Sequence, residues 1–349
     1  MKFMDLTIRI WNIIKEHDLF KHGQTIIIGL SGGPDSVSLV NILYQINQRY
    51  KTDWRLIPAH LNHRIRGRKS DADERFVVKM TRRLDLPVYV IRRDIPALSN
   101  KQKKSLEETA RDERYRFFEQ IAKRIKSQNR KKVISIAVGH NLDDNAETVI
   151  FRIIRGTGLK GLRGILLKRK LPARPDGRSG GFDNSPFYLI RPLLYTARKE
   201  ILNYLKTQHI PYRIDASNND KKILRNRIRH QLLPLLKKYN PSVSEHLVQL
   251  SETASTCYDY LDAMVKTKLP KKSSTLNITM LKHEHPVMRI EMINKVLEKI
   301  GCSTQKITYE HYRVLLKLID SERKYQELHL PDKVIAKHQG DKLILKKYS

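Results

Sequence analysis

Residues 25–36 read Thr-Ile-Ile-Ile-Gly-Leu-Ser-Gly-Gly-Pro-Asp-Ser, and this stretch decides the fold. Its first half is a continuous apolar run, which is typical of a strand buried on both faces. Its second half, Ser31-Gly32-Gly33-Pro34-Asp35-Ser36, follows directly and opens a helical pattern that continues to Arg49. Glycines that permit a tight turn, two hydroxyl donors and a helix N-terminus together predict a phosphate-binding loop. It is not a Walker A loop, because the GK[ST] ending is missing.

Apolar runs of the same kind recur downstream and alternate with helical patterns. They predict strands at Leu56 to His60, Val88 to Ile91, Val133 to Val138 and Tyr188 to Ile190. The intervening spacing predicts helices at Asp71 to Leu84 with Ser70 as N-cap, at Lys104 to Lys126, at Asp143 to Arg155 and at Thr196 to Gln208. Strand–helix–strand repetition predicts an α/β fold with a doubly wound, Rossmann-like parallel sheet.

The pattern changes toward the C-terminus. Residues 172–186 are rich in Pro, Gly, Ser, Asp and Asn, which predicts a loop. After Pro241 the pattern is mainly helical, and it ends in a β-like run from Lys333 to Lys346. We therefore predict a second, smaller, mainly helical domain. The predicted boundaries are 1–218 for the domain with the phosphate-binding loop, 219–240 for a basic linker or helix and 241–349 for the helical domain with its short β tail.

The chain carries a formal charge of +32 among 349 residues. Such an excess attracts polyanions, so nucleic acid is the first expected partner and an acidic membrane surface the second. Cations concentrate at Arg64 to Lys69, Lys160 to Arg178 and Lys221 to His230. A single cluster is also what a solvated surface looks like, but three of them beside a phosphate-binding loop favour RNA or DNA.

Composition excludes several classes of protein. The two cysteines, Cys257 and Cys302, exclude a disulfide-stapled fold and a CxxC metal or redox site. No apolar run approaches the roughly 20 residues of a membrane-spanning helix. Acidic residues interrupt the N-terminal segment, which excludes a signal peptide.

The SGGxDS loop resembles the pyrophosphatase loop of enzymes that adenylate a substrate with ATP. Further blocks make the chain similar to one such family, the tRNA(Ile)-lysidine synthases. The blocks are His60 to Gly67 with Ser70 to Asp73, Leu106 to Tyr115, Gly139 to Thr148 with Arg155 to Gly158, and Arg191 to Leu194 with Asp215 to Asn218 and Arg225 to Arg229. The resemblance implies an adenine nucleotide alpha hydrolase-like fold. It also implies a shorter form of the family that lacks the last C-terminal domain.

The resemblance implies a ligase reaction with ATP and Mg²⁺ as cofactors. Free L-lysine is joined to C2 of the cytidine at the first anticodon position of an isoleucine tRNA with a CAU anticodon. An adenylated cytidine is the intermediate, and AMP and pyrophosphate are released. The product, lysidine, changes codon reading from AUG to AUA and tRNA identity from methionine to isoleucine.

The expected catalytic residues follow from these motifs. Asp35 lies inside the loop, where it suits a Mg²⁺ ligand, although helix N-capping is an alternative role. Asp143 and Asp144 follow the fourth strand, where doubly wound folds place their ligands. We expect Asp144 as a metal ligand or general base, with Asp143 second. His140 is expected to contact ATP or the base, and the resemblance implies that Arg111 stabilises transition-state charge.

The tRNA-binding residues are expected among basic side chains of the same blocks. The candidates are His63, Arg66, Arg155, Arg191, Arg225 and Arg229. Each can contact a phosphate, and structural ion pairing is the alternative for some of them. A homodimer is one assembly consistent with the sequence. We expect a cytoplasmic protein without a membrane partner, and the stroma or matrix of an organelle with its own translation is the alternative.

Two other functions remain open from the residues. One is a catalytically idle RNA-binding protein on the same scaffold, which the intact loop and the adjacent carboxylates disfavour. The other is an adenylating enzyme with a small-molecule substrate, which the charge of +32 disfavours.

Overall fold

The computed structural model describes residues 5–129, 132–171, 187–214, 224–269, 274–302, 304–323 and 325–348. Within them the chain forms two compact units. The first comprises residues up to 171 together with 187–254, and the second comprises the residues from 255 onward.

The first unit is a layered α/β structure. Its strands are β1 (Thr25–Gly29), β2 (Arg55–Asn62), β3 (Tyr89–Arg92), β4 (Ile134–Ala137), β5 (Lys168–Lys170) and β6 (Tyr188–Ile190). Its helices are α1 (Leu6–Glu16), α2 (Pro34–Tyr50), α3 (Arg68–Arg83), α4 (Ile95–Gln102), α5 (Leu106–Gln128), α6 (Leu142–Ile154), α7 (Leu159–Leu162), α8 (Arg198–Thr207), α9 (Leu224–Arg227) and α10 (Leu233–Tyr239). A π-helical segment, Ile228–Leu232, joins α9 to α10.

The six strands form one sheet in the order β3-β2-β1-β4-β6-β5. Strand β5 pairs antiparallel with β6, and the other described pairings are parallel. The predicted doubly wound parallel sheet is thereby confirmed. Strands β2 and β3 lie on one side of β1, whereas β4 and β6 lie on the other. The connections that follow β1 and β4 therefore run in opposite directions and leave a crevice at the carboxyl ends of these two strands.

The apolar runs of the sequence are explained by helices that cover both faces of this sheet. Ile26 and Ile28 pack on the side of the sheet that holds Leu43 of α2, whereas Ile27 packs on the opposite side with Phe118 of α5. Alternate side chains of a strand point to opposite faces, so a strand covered on both sides must be apolar throughout. This packing anchors β1 in the middle of the sheet, directly below the phosphate-binding loop.

Some details of the first unit differ from the prediction, and helix α4 is an element that was not predicted. Helix α3 begins at Arg68, and Ser70 lies in its first turn instead of capping it. The reason is Gly67, which precedes the helix at φ 50° and allows the chain to turn into it earlier. Strand β5 was not predicted, because its residues Lys168, Arg169 and Lys170 show no apolar pattern. The loop predicted at 172–186 and the motif residues 215–218 lie outside the described residues.

The second unit is smaller and mainly helical. Helix α11 (Val243–Lys268) enters it from residue 255, and its other elements are β7 (Thr275–Asn277), α12 (Ile278–Lys282), α13 (Pro286–Lys299), α14 (Tyr309–Asp320), β8 (Tyr325–Leu330), β9 (Val334–Gln339) and β10 (Lys342–Lys347). Its strands form an antiparallel sheet in the order β7-β10-β9-β8. The helical segment was predicted, and the predicted β tail corresponds to β9 and β10, whereas β7 and β8 were not predicted. None of the described helices combines the length and the apolar character needed to cross a membrane.

Candidate active site

The loop between β1 and α2 is held in shape by its own side chains. The hydroxyls of Ser31 and Ser36 lie 3.1 Å apart. The Ser36 hydroxyl accepts a hydrogen bond from the Ser31 N–H at 3.1 Å and donates one to the Gly33 carbonyl at 2.9 Å. Gly32 has φ +90°, a conformation that favours glycine. The result is a 17-residue helix whose N-terminus stands at the carboxyl edge of the sheet, where it favours an anion such as a triphosphate.

Gly139, which follows β4, packs against the same loop. A Cβ atom at this position would lie 2.8 Å from the carbonyl oxygen of Asp35 and 3.1 Å from the backbone nitrogen of Ser36. These are backbone atoms, which cannot move aside as a flexible side chain does. The segments that follow β1 and β4 therefore form one continuous surface because residue 139 has no side chain.

Asn141 connects the loop to the start of α6. Its side-chain amide donates to Asp35 Oδ1 at 3.1 Å, and its Oδ1 accepts from the Asp144 N–H at 2.9 Å. Its own N–H donates to Asp144 Oδ2 at 3.1 Å, which completes a capping box for α6. Since Asn141 is only 2% exposed, its position is fixed. One buried residue thus holds both carboxylates at the same edge of the sheet, that of Asp35 through its side chain and that of Asp144 through its backbone N–H.

Cations from later parts of the chain neutralise these acids. Arg198 at the start of α8 pairs with Asp35 through its guanidinium, and its backbone N–H donates to Asp143 Oδ2 at 2.8 Å. Arg229 donates to Asp144 Oδ1 at 2.8 Å and to both carboxylate oxygens of Glu147. A further ion pair joins Lys237 to Asp143 at 3.0 Å. The site is therefore a network of carboxylates and guanidiniums drawn from α2, α6, α8 and the π-helical segment.

These ion pairs do not fully offset the effect of burial on the carboxylates. Burial raises the pKa of Asp35, and the nearby charge of Asp144 acts in the same direction. Burial likewise raises the pKa of Glu147, against the opposing effect of Arg229. A Mg²⁺ ion commonly binds through one or two carboxylates plus substrate phosphates and water. Asp35 and Asp144 fit that role beside the phosphate-binding loop. The described residues contain no group of three or more His, Cys, Asp or Glu side chains that would hold an ion alone.

His140 lies between Gly139 and Asn141 and is held by Arg191. The Nε of Arg191 donates to His140 Nδ1 at 3.0 Å, and another guanidinium nitrogen of Arg191 donates to the Leu166 carbonyl. Arg191 is only 3% exposed. Burial lowers the pKa of Arg191 to about 9, and the charges of Arg169 and Arg111 add to the effect.

Arg111 belongs to a cluster of cations around Tyr115. The guanidinium carbon of Arg111 lies 5.5 Å from the centre of the Tyr115 ring, and that of Arg169 lies 5.8 Å from it. Burial acts to raise the pKa of Tyr115, but the guanidiniums of Arg111, Arg169 and Arg191 outweigh it and lower that pKa. Among the described residues, no carboxylate forms an ion pair with any of these three arginines. Such a cluster favours a bound anion.

The remaining candidates for tRNA contact have different surroundings. Arg66 pairs with Asp73 at 2.7 Å, and Arg155 is exposed and stacks on Phe151 at 5.2 Å. Arg225 donates to the Thr148 hydroxyl at 3.1 Å and approaches Glu147 at 3.7 Å. His63 is partly buried at the end of β2. Their roles in RNA binding stay predictions.

Sequence reasoning missed several residues of the site, among them Asn141, Glu147, Arg198, Lys237 and Arg169. Glu147 could have been found, because it lies three positions after Asp144 and so shares its face of α6. Arg198 carries no such signal, since its ion pair with Asp35 joins positions 163 residues apart. Arg169 lies in the strand that lacked an apolar pattern.

Comparison with known proteins places this arrangement among ATP-using enzymes. Residues 4–236 match the family model of the PP-loop domain. The chain is 32% identical over 345 residues to the tRNA(Ile)-lysidine synthase of Clostridioides difficile, covering 97% of this chain and 70% of that protein. It is 32% identical over 328 residues to the tRNA(Ile)-lysidine synthase of Geobacter sulfurreducens, covering 92% of this chain and 64% of that protein.

Two further similarities agree with this placement. The chain is 33% identical over 344 residues to the bifunctional protein TilS/HprT of Listeria monocytogenes, and it covers 49% of that protein. It therefore spans between about half and 70% of the length of these three relatives. Among solved structures, the U34-tRNA thiolase NcsA of Methanococcus maripaludis has a TM-score of 0.51 at 21% identity, over 71% of this chain and 77% of that one. This last similarity concerns the fold alone.

Proposed function

The chain belongs to the PP-loop domain family and, within it, to the tRNA(Ile)-lysidine synthases, and from this membership we propose that it joins L-lysine to C2 of the cytidine at the first anticodon position of a CAU-anticodon isoleucine tRNA. ATP is the co-substrate, and AMP and pyrophosphate leave. The observation that carries the proposal is the link through Asn141, which holds Asp35 of the phosphate-binding loop and Asp144 of α6 at one edge of the sheet.

The chemistry needs ATP because the C2 oxygen of cytosine is a poor leaving group. Attack of this oxygen on the α-phosphorus of ATP forms an oxygen–phosphorus bond and expels pyrophosphate. The ε-amine of lysine then attacks C2, the carbon–oxygen bond breaks, and AMP departs. The amine loses a proton in this step, for which a carboxylate of the Asp143–Asp144 pair is the nearest base we can assign.

Each step of this reaction is assigned to residues in a different part of the site. Loop 31–36 and the N-terminus of α2 bind the triphosphate. Asp35 and Asp144 are the residues that would hold Mg²⁺, and the bound ion would neutralise phosphate charge. Arg111 supports the negative charge that develops at the phosphate of the adenylated base. Arg225 and Arg229, on the segment beside α6, approach the RNA backbone. The homodimer remains a prediction about assembly.

The experiment is incorporation of labelled lysine into an unmodified isoleucine tRNA with a CAU anticodon. We expect ATP-dependent incorporation that falls by at least about 100-fold in Asp35→Asn, the scale of losing one charge-stabilising group. Asp85→Asn, an exposed acid on the same unit, is the matched control and should retain activity. If lysine is not incorporated although ATP is still cleaved to AMP and pyrophosphate, the adenylating reaction stands and the lysine or tRNA assignment is wrong.

A further inference from the structure

The imidazole of His140 stands at a defined place in the site. It follows β4 directly and lies between two residues that contact the phosphate-binding loop, Gly139 through its backbone and Asn141 through its side chain. His140 is partly buried, and its Nε2 makes no hydrogen bond with a described residue. Its Nδ1 is occupied by the Nε–H of Arg191 at 3.0 Å.

The partner of Nδ1 decides where the ring carries its proton. A guanidinium Nε–H is always a donor and offers no lone pair, so His140 Nδ1 must accept and cannot itself be protonated. A neutral imidazole keeps one proton, and the only remaining position is Nε2. The Leu166 carbonyl and the burial of Arg191 fix the guanidinium in this orientation.

The electrostatic surroundings keep the ring neutral. Burial lowers the pKa of His140 well below its ordinary value. Nearby charges add to this effect, from Arg191 after β6, Arg225 of α9, and Arg114 and Arg111 of α5. These groups are all cations, and a second positive charge on the ring would be repelled by each of them.

We propose that Arg191 is a positioning residue that holds His140 as the neutral Nε2–H tautomer, so that His140 donates a hydrogen bond to a phosphate oxygen of ATP and does not act as a base. The flanking contacts of Gly139 and Asn141 with the loop favour a phosphate oxygen as the acceptor. The tautomer is a property of the chain without substrate. Only the identity of the acceptor rests on the proposed function.

This assignment gives both residues a function that differs from proton transfer or RNA contact. A fixed neutral donor can stabilise a negative oxygen without gaining or losing a proton, and it needs no reorientation when the charge develops. Arg191 is 3% exposed and therefore offers almost no surface to an RNA backbone. Its guanidinium acts through His140.

The test is ¹⁵N NMR of the full chain with labelled histidine. The chain has 13 histidines, and the His140 signals are identified by their loss in His140→Gln. We expect Nε2 to be protonated and Nδ1 unprotonated, with no change between about pH 6 and 8, where an ordinary histidine titrates. A protonated Nδ1, or an imidazolium at pH 7, overturns the proposal without any assay of lysine transfer.

Two variants then separate positioning from general packing. In Arg191→Met we expect His140 to titrate at a higher pH and to populate the Nδ1–H tautomer. Arg152→Met is the matched control, because Arg152 is also a partly buried arginine that donates to backbone carbonyls, those of Gly161 and Gly164 at 2.7 and 2.8 Å. It should leave the His140 spectrum unchanged. An unchanged spectrum in Arg191→Met contradicts the proposal, and if that variant fails to fold, the wild-type spectrum still decides the tautomer.

The acceptor is tested by adding a non-hydrolysable ATP analogue with Mg²⁺. We expect the Nε2 signal of His140 to shift on binding, whereas adenosine, which lacks phosphates, should leave it in place. A shift with both ligands, or with neither, rules out a phosphate oxygen as the acceptor. Both outcomes are independent of whether the chain transfers lysine.

Discussion

At the scale of single residues, the candidate site depends on how closely two backbone segments approach each other. The backbone of Gly139 lies against that of Asp35 and Ser36, with no space for a Cβ atom. The contact sets the distance between the phosphate-binding loop and the segment that carries His140 and Asn141. A side chain at this one position therefore changes the geometry of several functional groups at once.

We predict that Gly139→Ala weakens ATP binding and destabilises the fold by about 1–3 kcal/mol, the usual cost of overpacking against atoms that cannot relax. Gly158→Ala is the matched control, because a Cβ at Gly158 would meet no atom within 4 Å. Urea unfolding and a titration with an ATP analogue measure the two effects. Wild-type affinity in Gly139→Ala would show that the loop tolerates a wider separation.

Individual site residues were predictable only where a local pattern marked them. Asp35, Asp143 and Asp144 follow buried strands, and the rule that parallel strands end at one edge predicts that they meet. Arg198 could not be predicted, because its pairing with Asp35 depends on how α8 returns to the sheet. Arg191 was expected as a candidate for phosphate contact, and its burial was not predicted because burial of an arginine has no signature in composition.

At the scale of elements, predictability followed the number of apolar residues that an element buries. Strands β1, β2 and β4 were predicted because both of their faces are covered. Strand β5, with the sequence Lys-Arg-Lys, forms only because it pairs with β6 at the edge of the sheet. Such a strand depends on its neighbour, and no local pattern marks it.

The contact between α13 and α14 allows a prediction about the second unit. The Tyr312 hydroxyl donates to Asn294 Oδ1 at 2.6 Å, and burial is the main reason that the pKa of Tyr312 rises to about 12. The unfolded chain ionises this phenol near its ordinary pKa of about 10. Its contribution to stability is therefore complete below about pH 10 and is lost as the pH rises toward 12.

Accordingly, Tyr312→Phe should lower the free energy of unfolding by about 1 kcal/mol at pH 8 and should flatten the decline in stability above pH 10. Tyr309→Phe removes a hydroxyl from the same helix at a side chain that is 77% exposed, and it serves as the control. Urea unfolding of the three proteins at several pH values is the measurement. Parallel pH profiles for wild type and Tyr312→Phe would contradict the prediction.

At the scale of the whole molecule, the cations behind the net charge of +32 have two different roles. Around the candidate site, arginines pair with buried carboxylates and support the structure. Elsewhere the cations are exposed, as in residues 64–69, which lead into α3 and form the start of its first turn; here Arg64, Arg68 and Lys69 form no ion pair with a described residue. Exposed cations of this kind release counterions when they bind an RNA backbone.

We therefore expect tRNA binding to weaken steeply with salt and residues 64–69 to contribute directly. Replacing Arg64, Arg68 and Lys69 with Gln should reduce the slope of log affinity against log salt concentration by about 2, since each phosphate contact contributes roughly 0.7–0.9.

The control replaces Lys79, Arg82 and Arg83 with Gln. These three exposed cations lie at the other end of the same helix, about 20 Å away, so both variants lose three charges. If contact with RNA determines the slope, only the first variant lowers it substantially. If total charge determines it, both variants lower it equally, and residues 64–69 are then no specific contact. A slope near zero in the wild type would instead show that the positive charge of the chain does not bind the RNA.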